Sequence, residues 1–321
     1  MRRSIRALAA AVIALPLALT AAPSAHAADP TAMTSGFYVD PNSSAKQWVA
    51  AHPGDGRAPA INASVANTPM ARWFGAWSGT IGTATGAYVG AADHSDKLPI
   101  LVAYNIYLRD SCGGHSGGGA ASPSAYATWI AQFAGGIADR PAVVLLEPDS
   151  LADYGCLNQA QIRERQGMLG GALAEFNRQA PNTWVYLDAG NPGWVGAATM
   201  AQRLHEAGLR QAHGFSLNIS NHYTTAQNTA YGNAVNSELA ARYGYTKPFV
   251  VDTSRNGKGS NGEWCNAAGR RIGTPTRMGG GAEMLLWIKA PGESDGNCGV
   301  GTGSTAGQFL PEVAYKMIYG Y

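Results

Sequence analysis

Two runs limit what this chain can fold into. "AVVLLEPD" (142–149) and "PFVVDTS" (248–254) are apolar almost throughout until each meets an aspartate. Successive side chains of a strand point to opposite faces, so a strand apolar at every position needs cover on both. Central strands of parallel sheets are in that situation. Further short apolar runs lie at 71–77, 98–106, 183–190, 214–220 and 282–289, which brings the expected strand count to seven. Helical patterns separate most of them. Residues 124–137 place Tyr126, Trp129, Ile130 and Phe133 on one face, and Gln159–Gln179 does the same with Ile162, Leu169, Leu173 and Phe176. Those positions read as core. Strand–helix alternation around doubly covered strands predicts an α/β fold, as an open sheet or as a barrel.

The first residues read as a secretory signal. Arg2, Arg3 and Arg6 form a positive region, an apolar stretch covers 7–19, and Ala25-His26-Ala27 gives a small-x-small cleavage pattern. The stretch is too short to span a bilayer and no second one follows, so no membrane association is expected after the signal is removed. The expected division is a signal peptide at 1–27 and a single domain at 28–321, secreted to the extracellular space. The chain has 23 Lys+Arg and 21 Asp+Glu; without the three signal arginines the balance is 20 against 21, a net charge of −1. That leaves no basic field for nucleic acid, and a neutral substrate fits better. Charged residues are only 14% while glycines number 41, so tight loops matter more here than charged helical surfaces. Cys112, Cys156, Cys265 and Cys298 are an even set, which in an exported chain reads as disulfides with three pairings open. No CxxC pair or zinc-finger histidine spacing occurs, so no structural metal is expected. No repeat, coiled coil or Pro/Thr/Ser linker is visible; a monomer without a separate binding module is expected.

Long loops rich in Gly, Asn and Ser follow Ile106, Ser254 and Lys289. All three leave the C-terminal ends of strands, where β/α folds build their active sites. Aspartates fall in the same places: Asp110 in "YNIYLRD", Asp149 in "LLEPD", Asp188 in "WVYLD", Asp252 in "VVDTS" and Asp295 in "KAPGESD". A lone acid there can simply cap the next helix. Five should converge on one rim, where like charges raise one another's proton affinity and keep one carboxyl protonated as a general acid. Trp73, Trp194 and Trp264 share that rim. A loop tryptophan can merely pack its loop, but beside acids its face is a stacking platform for a sugar ring. With Arg109, Ser116, Asn221 and Lys289 as hydrogen-bonding groups, the set describes a glycosidase cleft. Two rivals of other classes were weighed. Gly114-His115-Ser116-Gly117-Gly118 matches the GxSxG elbow of esterases, but that Ser must sit at a sharp turn directly between strand and helix, and the strand here ends near Ile106. A non-catalytic sugar-binding protein would not need so many converging acids. His94, between Asp93 and Asp96, reads as a solvated helix end and not as a metal ligand.

At "YNIYLRDSCGGHSGGG", "VVLLEPDSL", "YLDAG", "VVDTSRNG…EWCN" and "LLWIKAPGESDG" the chain resembles glycoside hydrolase family 6, collinearly over nearly all of residues 28–321. The resemblance implies a distorted seven-stranded β/α barrel and an inverting cellulase, either an endoglucanase cutting β-1,4-glucan internally or a cellobiohydrolase acting from chain ends. It needs no cofactor. It implies that Asp149 is the general acid, that Asp110 tunes it and relays a proton, and that Asp295 is the candidate base. Asp188 would support substrate binding and the acid's electrostatics. Tyr104 and Ser116 would surround the distorted central sugar, with Arg109 beside Asp110. Lys289 and Glu293 would bind sugar, and Trp73, Trp194 and Trp264 would be stacking platforms. The family pairing implies Cys112–Cys156 and Cys265–Cys298. The chain departs from the family at Tyr107, where proline is common, at Ser111, which moves the cysteine to 112, at Asn191, where histidine is common, and at Ala197, where cellobiohydrolases carry a further tryptophan. The last departure favours the endo mode and an open cleft, as does the lack, in the loops after Ile106 and Lys289, of the apolar anchor residues that a self-packed lid would need. An inverting pair of carboxyls lies ~6.5–9.5 Å apart to admit a water.

Overall fold

The computed structural model describes residues 28–113 and 116–321, so the signal reading falls outside the described residues. Strands β1 (Arg72–Phe74), β2 (Ile100–Ala103), β3 (Ala142–Leu146), β4 (Thr183–Asp188), β5 (Gly214–Leu217) and β6 (Phe249–Asp252) pair in chain order, all parallel. A short β7 (Arg277–Met278) precedes β8 (Met284–Leu286), which adds parallel to β6. Seven parallel strands therefore form the sheet, as the apolar runs predict, and β7 is an antiparallel edge the sequence reading did not include. The sheet curls into a distorted barrel. Its first and last parallel strands do not form a ladder; they meet through one backbone hydrogen bond, Ala71 N to Trp287 O, 2.8 Å.

Side-chain alternation explains why both faces are apolar. Ile100 and Val102, Val143 and Leu145, Trp184 and Tyr186, Val250, and Met284 and Leu286 form one cluster inside the barrel. Their neighbours Leu101, Val144, Val185, Leu187, Phe215, Leu217, Val251 and Leu285 face the surrounding helices. In β5 the inward positions are small: a Cβ on Gly214 would stand 2.9 Å from the Tyr186 ring, so glycine leaves that ring its place. The same period of two carries Asp188 and Asp252 inward at the tops of β4 and β6.

The helices between the strands are α3 (Ile81–His94), α4 (Pro123–Ile137), α5 (Gln159–Gln179), α6 (Ala197–Glu206) and α7 (Thr225–Tyr243). Ser122 caps α4 ahead of Pro123, and capping boxes start α5 (Asn158, Gln161) and α7 (Thr224, Gln227). Tyr126, Ile130 and Phe133 are buried as expected, Trp129 half so, and His94 closes α3 exposed to solvent. No helix among the described residues is long and apolar enough to cross a membrane.

The seam between β1 and β8 is filled from both ends of the chain. Helices α1 (Ser44–Ala51) and α2 (Ala58–Ile61) precede β1, and α8 (Pro311–Tyr319) ends the fold. Ala45, Ile61, Val65 and Met70 pack with Ala314 around Trp287 and Ala290. Trp287 is fully buried and donates Nε1 to Thr274 O at 2.9 Å. Trp287→Ala is expected to cost about 3–5 kcal/mol, whereas Met33→Ala, at an exposed position, should stay within about 0.5 kcal/mol. Denaturant unfolding measures both, and a loss near zero for Trp287→Ala would show that the seam is not held this way.

Candidate active site

A cleft of about 880 Å³ opens at the C-terminal ends of the strands. Of the residues singled out from sequence, Trp73, Tyr104, Arg109, Asp110, Ser116, Asp149, Trp194, Asn221, Trp264, Lys289, Glu293 and Asp295 line it. Asp188 does not; it lies buried behind Asp149, accepting from Asp149 N at 2.9 Å and Gly190 N at 3.1 Å. Asp252 also leaves the expected rim. It is fully buried and accepts from the backbone N–H groups of Ser220, Ser254 and Lys289 at 2.9–3.1 Å, fixing three loops. Nothing in "VVDTS" distinguishes such an anchor from an acid that faces solvent.

The remaining acids differ through their surroundings. Asp149 sits half-buried with its carboxyl held far above the ordinary value, first by burial and then by Asp188, Asp110, Asp153 and Asp295. Burial outranks the like charges that sequence reasoning put first. Asp110 is also raised by burial, against a hydrogen bond from Tyr104 Oη and the Arg109 charge. Asp295 goes the other way. Burial would raise it, but the buried Arg255 donates to both its oxygens at 3.1 and 2.9 Å, Lys289 Nζ lies 3.8 Å away, and Asn266 N donates at 2.9 Å. The net effect holds Asp295 as a carboxylate.

Loops set these positions. Arg109 reaches back to Ser116 O through Nε (2.9 Å) and Nη2 (2.7 Å), to Tyr104 O at 2.6 Å, and stacks over the Tyr104 ring at 4.3 Å. It therefore ties the Asp110 loop to itself. Ser116 lies in the long connection between β2 and α4, away from any strand–turn–helix elbow; Gly114 and His115 of that motif lie outside the described residues. Cys112–Cys156 and Cys265–Cys298 are disulfides, with Cα atoms 5.1 and 6.0 Å apart, and each joins loops that follow different strands.

Trp73 anchors its indole on Ile288 O at 2.8 Å and carries Lys289 Nζ 5.7 Å over its ring. Lys289 Nζ donates to Ser294 O at 3.0 Å, and Glu293 accepts from Ser44 Oγ at 2.7 Å. Trp194 and Trp264 are 46% and 45% exposed and both line the cleft. Sequence reading missed Trp77, at 59% exposure a further aromatic on the cleft wall, because it counted 71–77 as one strand. The chain instead leaves β1 at Phe74 and turns through Ala76–Ser78, where a Cβ on Gly75 would collide with the Trp77 ring. It also missed Asp153, Arg72 and Asp40 on the wall, Arg255 behind Asp295, and Glu147, fully buried and accepting from Asn105 N and Ile106 N at 2.9–3.0 Å.

The cleft thus carries one acid whose proton is held tightly, one acid paired with a cation, and several aromatic side chains on its wall. The description of glycosyl hydrolases family 6 matches residues 32–319. The chain belongs to this family. It is 82% identical to Endoglucanase 1 of Streptomyces halstedii over the full length of both, and 41% identical to Endoglucanase A of Thermobispora bispora over 98% of this chain and 67% of that protein. Among solved structures, the endoglucanase Cel6 of Mycobacterium tuberculosis, in complex with methyl-cellobiosyl-4-deoxy-4-thio-β-D-cellobioside, superposes with a TM-score of 0.82 at 38% identity, covering 91% of this chain and 99% of that one.

The buried acids of this family member make its stability depend on pH. Burial raises Glu147 from 4.5 to about 7 and Asp188 from 3.8 to about 6. The folded state thus binds protons more tightly than the unfolded state at both sites, so both cost stability as the pH rises from the unfolded values to the folded ones. Asp295, held below its ordinary value, costs stability only in stronger acid. The melting temperature is expected to fall between about pH 4 and about pH 7, and Glu147→Gln should flatten the upper part of that fall. An equal slope in wild type and variant would contradict the assignment.

Proposed function

We propose that this protein is a secreted, inverting endo-β-1,4-glucanase that cuts cellulose or a related β-glucan within the chain. The mature molecule is a single catalytic domain over 28–321, works as a monomer and needs no cofactor. The observation that carries the reading is the environment of Asp149: a carboxyl held protonated by burial and by neighbouring acids, on the wall of a cleft lined with aromatic faces. A protonated acid beside a sugar platform is what cleavage of a glycosidic bond requires. The thio-linked cello-oligosaccharide bound by the similar endoglucanase supports a β-1,4-glucan as substrate. The signal-like start and the two disulfides support secretion.

In this reading Asp149 gives its proton to the leaving glycosidic oxygen. Water attacks the anomeric carbon from the opposite face in the same step, so the configuration inverts. Asp295, already a carboxylate beside Arg255, takes the single proton that the water loses, and Asp110, hydrogen-bonded by Tyr104, keeps Asp149 protonated. Trp73, Lys289 and Glu293 hold sugars on one side of the cut, with Trp194, Asn221 and Trp264 along the rest of the cleft. The exposure of Trp77 and Trp194 along the wall favours a cleft that accepts a chain from the side, hence internal cutting.

Asp149→Ala is expected to lower hydrolysis of carboxymethylcellulose about 10²–10⁴-fold, and to harm an aryl cello-oligoside with a good leaving group much less, because that bond needs little protonation. Equal losses on both would remove Asp149 from the acid role. Fresh product should carry the α-anomer in proton NMR within minutes, and viscosity of carboxymethylcellulose should collapse before many reducing ends form. Initial β-anomer would reject single displacement; slow viscosity loss with cellobiose as the only early product would mean end-wise action.

A further inference from the structure

Arg165 is almost fully buried in the middle of α5, yet no hydrogen bond of its guanidinium goes to a carboxylate. It donates instead to three backbone carbonyls: Nη1 to Ser150 O (3.2 Å) and Asp153 O (3.0 Å), and Nη2 to Leu108 O (2.6 Å). Leu108 lies just before Asp110, while Ser150 and Asp153 lie just after Asp149. The fork therefore bridges the two loops that carry the tuning acid and the general acid. Both loops hold non-glycine residues in the left-handed region: Leu108 at φ 59° and Asp110 at φ 50° in one, Glu147 at φ 51° and Asp149 at φ 70° in the other. Such backbone persists only where surrounding contacts over-determine it. The disulfide Cys112–Cys156 joins the same loops farther out, so the acids sit between a covalent tie and a buried cationic one.

Burying a guanidinium is costly, and an apolar side chain of similar volume could pack α5 without that cost. Its position gives the charge a use. The ionisable groups it faces are Asp153, Tyr154, Asp110 and Glu147. Around Asp110, in turn, stand Tyr104, Arg109, Asp153 and Arg165, and the two arginines oppose the burial that drives Asp110 toward its neutral form.

We propose that Arg165 is a positioning residue for the glycosidase reaction: its fork fixes the Asp110 loop against the Asp149 loop and sets its cation beside Asp110. This inference rests on the glucanase reading above, with Asp149 as acid and Asp110 as its tuner. Arg165 touches no substrate, since it lies behind the cleft wall and does not line it.

The test compares Arg165→Lys and Arg165→Gln with wild type on a soluble cello-oligosaccharide, with kcat, KM and the pH–rate profile measured per folded enzyme. Lysine keeps the charge and loses the fork; glutamine loses both. Both variants should lose kcat at least tenfold with KM within twofold. The acid limb should move to higher pH in Arg165→Gln alone, because Asp110 without that cation takes its proton sooner. If Arg165→Gln does not fold, Leu108→Gly in the same background relieves the left-handed backbone without restoring fork or charge, and the same readings apply. A folded variant with normal kcat, a change confined to KM, or an unmoved acid limb in the glutamine variant would overturn the proposal. Wild type that releases no reducing ends would instead overturn the glucanase reading.

Discussion

Buried carboxylates that accept backbone N–H groups tie the loops after β2, β3, β4, β5, β6 and β8 to the barrel beneath them. Glu147 takes the amides of Asn105 and Ile106, Asp188 those of Asp149 and Gly190, and Asp252 those of Ser220, Ser254 and Lys289. Each contact is charge-assisted whenever the acid is ionised; those to Gly190 and Ser254 close the acid's own loop, and the others cross from one strand end to the loop of another. Loops rich in glycine have little side-chain packing of their own, so their shape has to come from such anchors. The general acid is itself placed this way, its own amide held by Asp188.

Chemically identical side chains consequently do different things within one cleft. Asp252 is consumed as an anchor, Asp295 is held as a carboxylate by Arg255, and Asp149 is left half-buried among acids, where its proton is hard to remove. Environment divides the roles, as it does wherever two carboxyls in one site must hold opposite charge states.

The fold was largely legible in the sequence, because strands buried on both faces write themselves as unbroken apolar runs and their number survives any error at the ends. Their ends were not: the runs continue past the sheet to Tyr104, Glu147 and Ser220, whereas left-handed turns at Glu147 and Asn218 stop the pairing directly after Leu146 and Leu217. Most of the cleft was also legible, since its residues come directly after strands. The parts that were not all act through long-range contacts. Asp252 has the same local setting as Asp188, Trp77 is hidden inside a strand-like run, and Arg165 falls on the apolar face between Ile162 and Leu169, where its charge masks the core position that its spacing indicates.

The seam has a bearing on how the molecule comes into being. The wedge between β1 and β8 is assembled from Ile61, Met70, Trp287 and Ala314, and Arg57 reaches Glu312 at 3.1 Å across the same join. Neither half of that wedge exists without the other, so the barrel stays unzipped until the last helix of the chain has been made and has found the first. Contacts of such sequence separation are slow to form, because the intervening loop entropy is spent before they give anything back. Closure of the barrel is therefore expected to be a late event in folding, after the strands between β1 and β8 have paired.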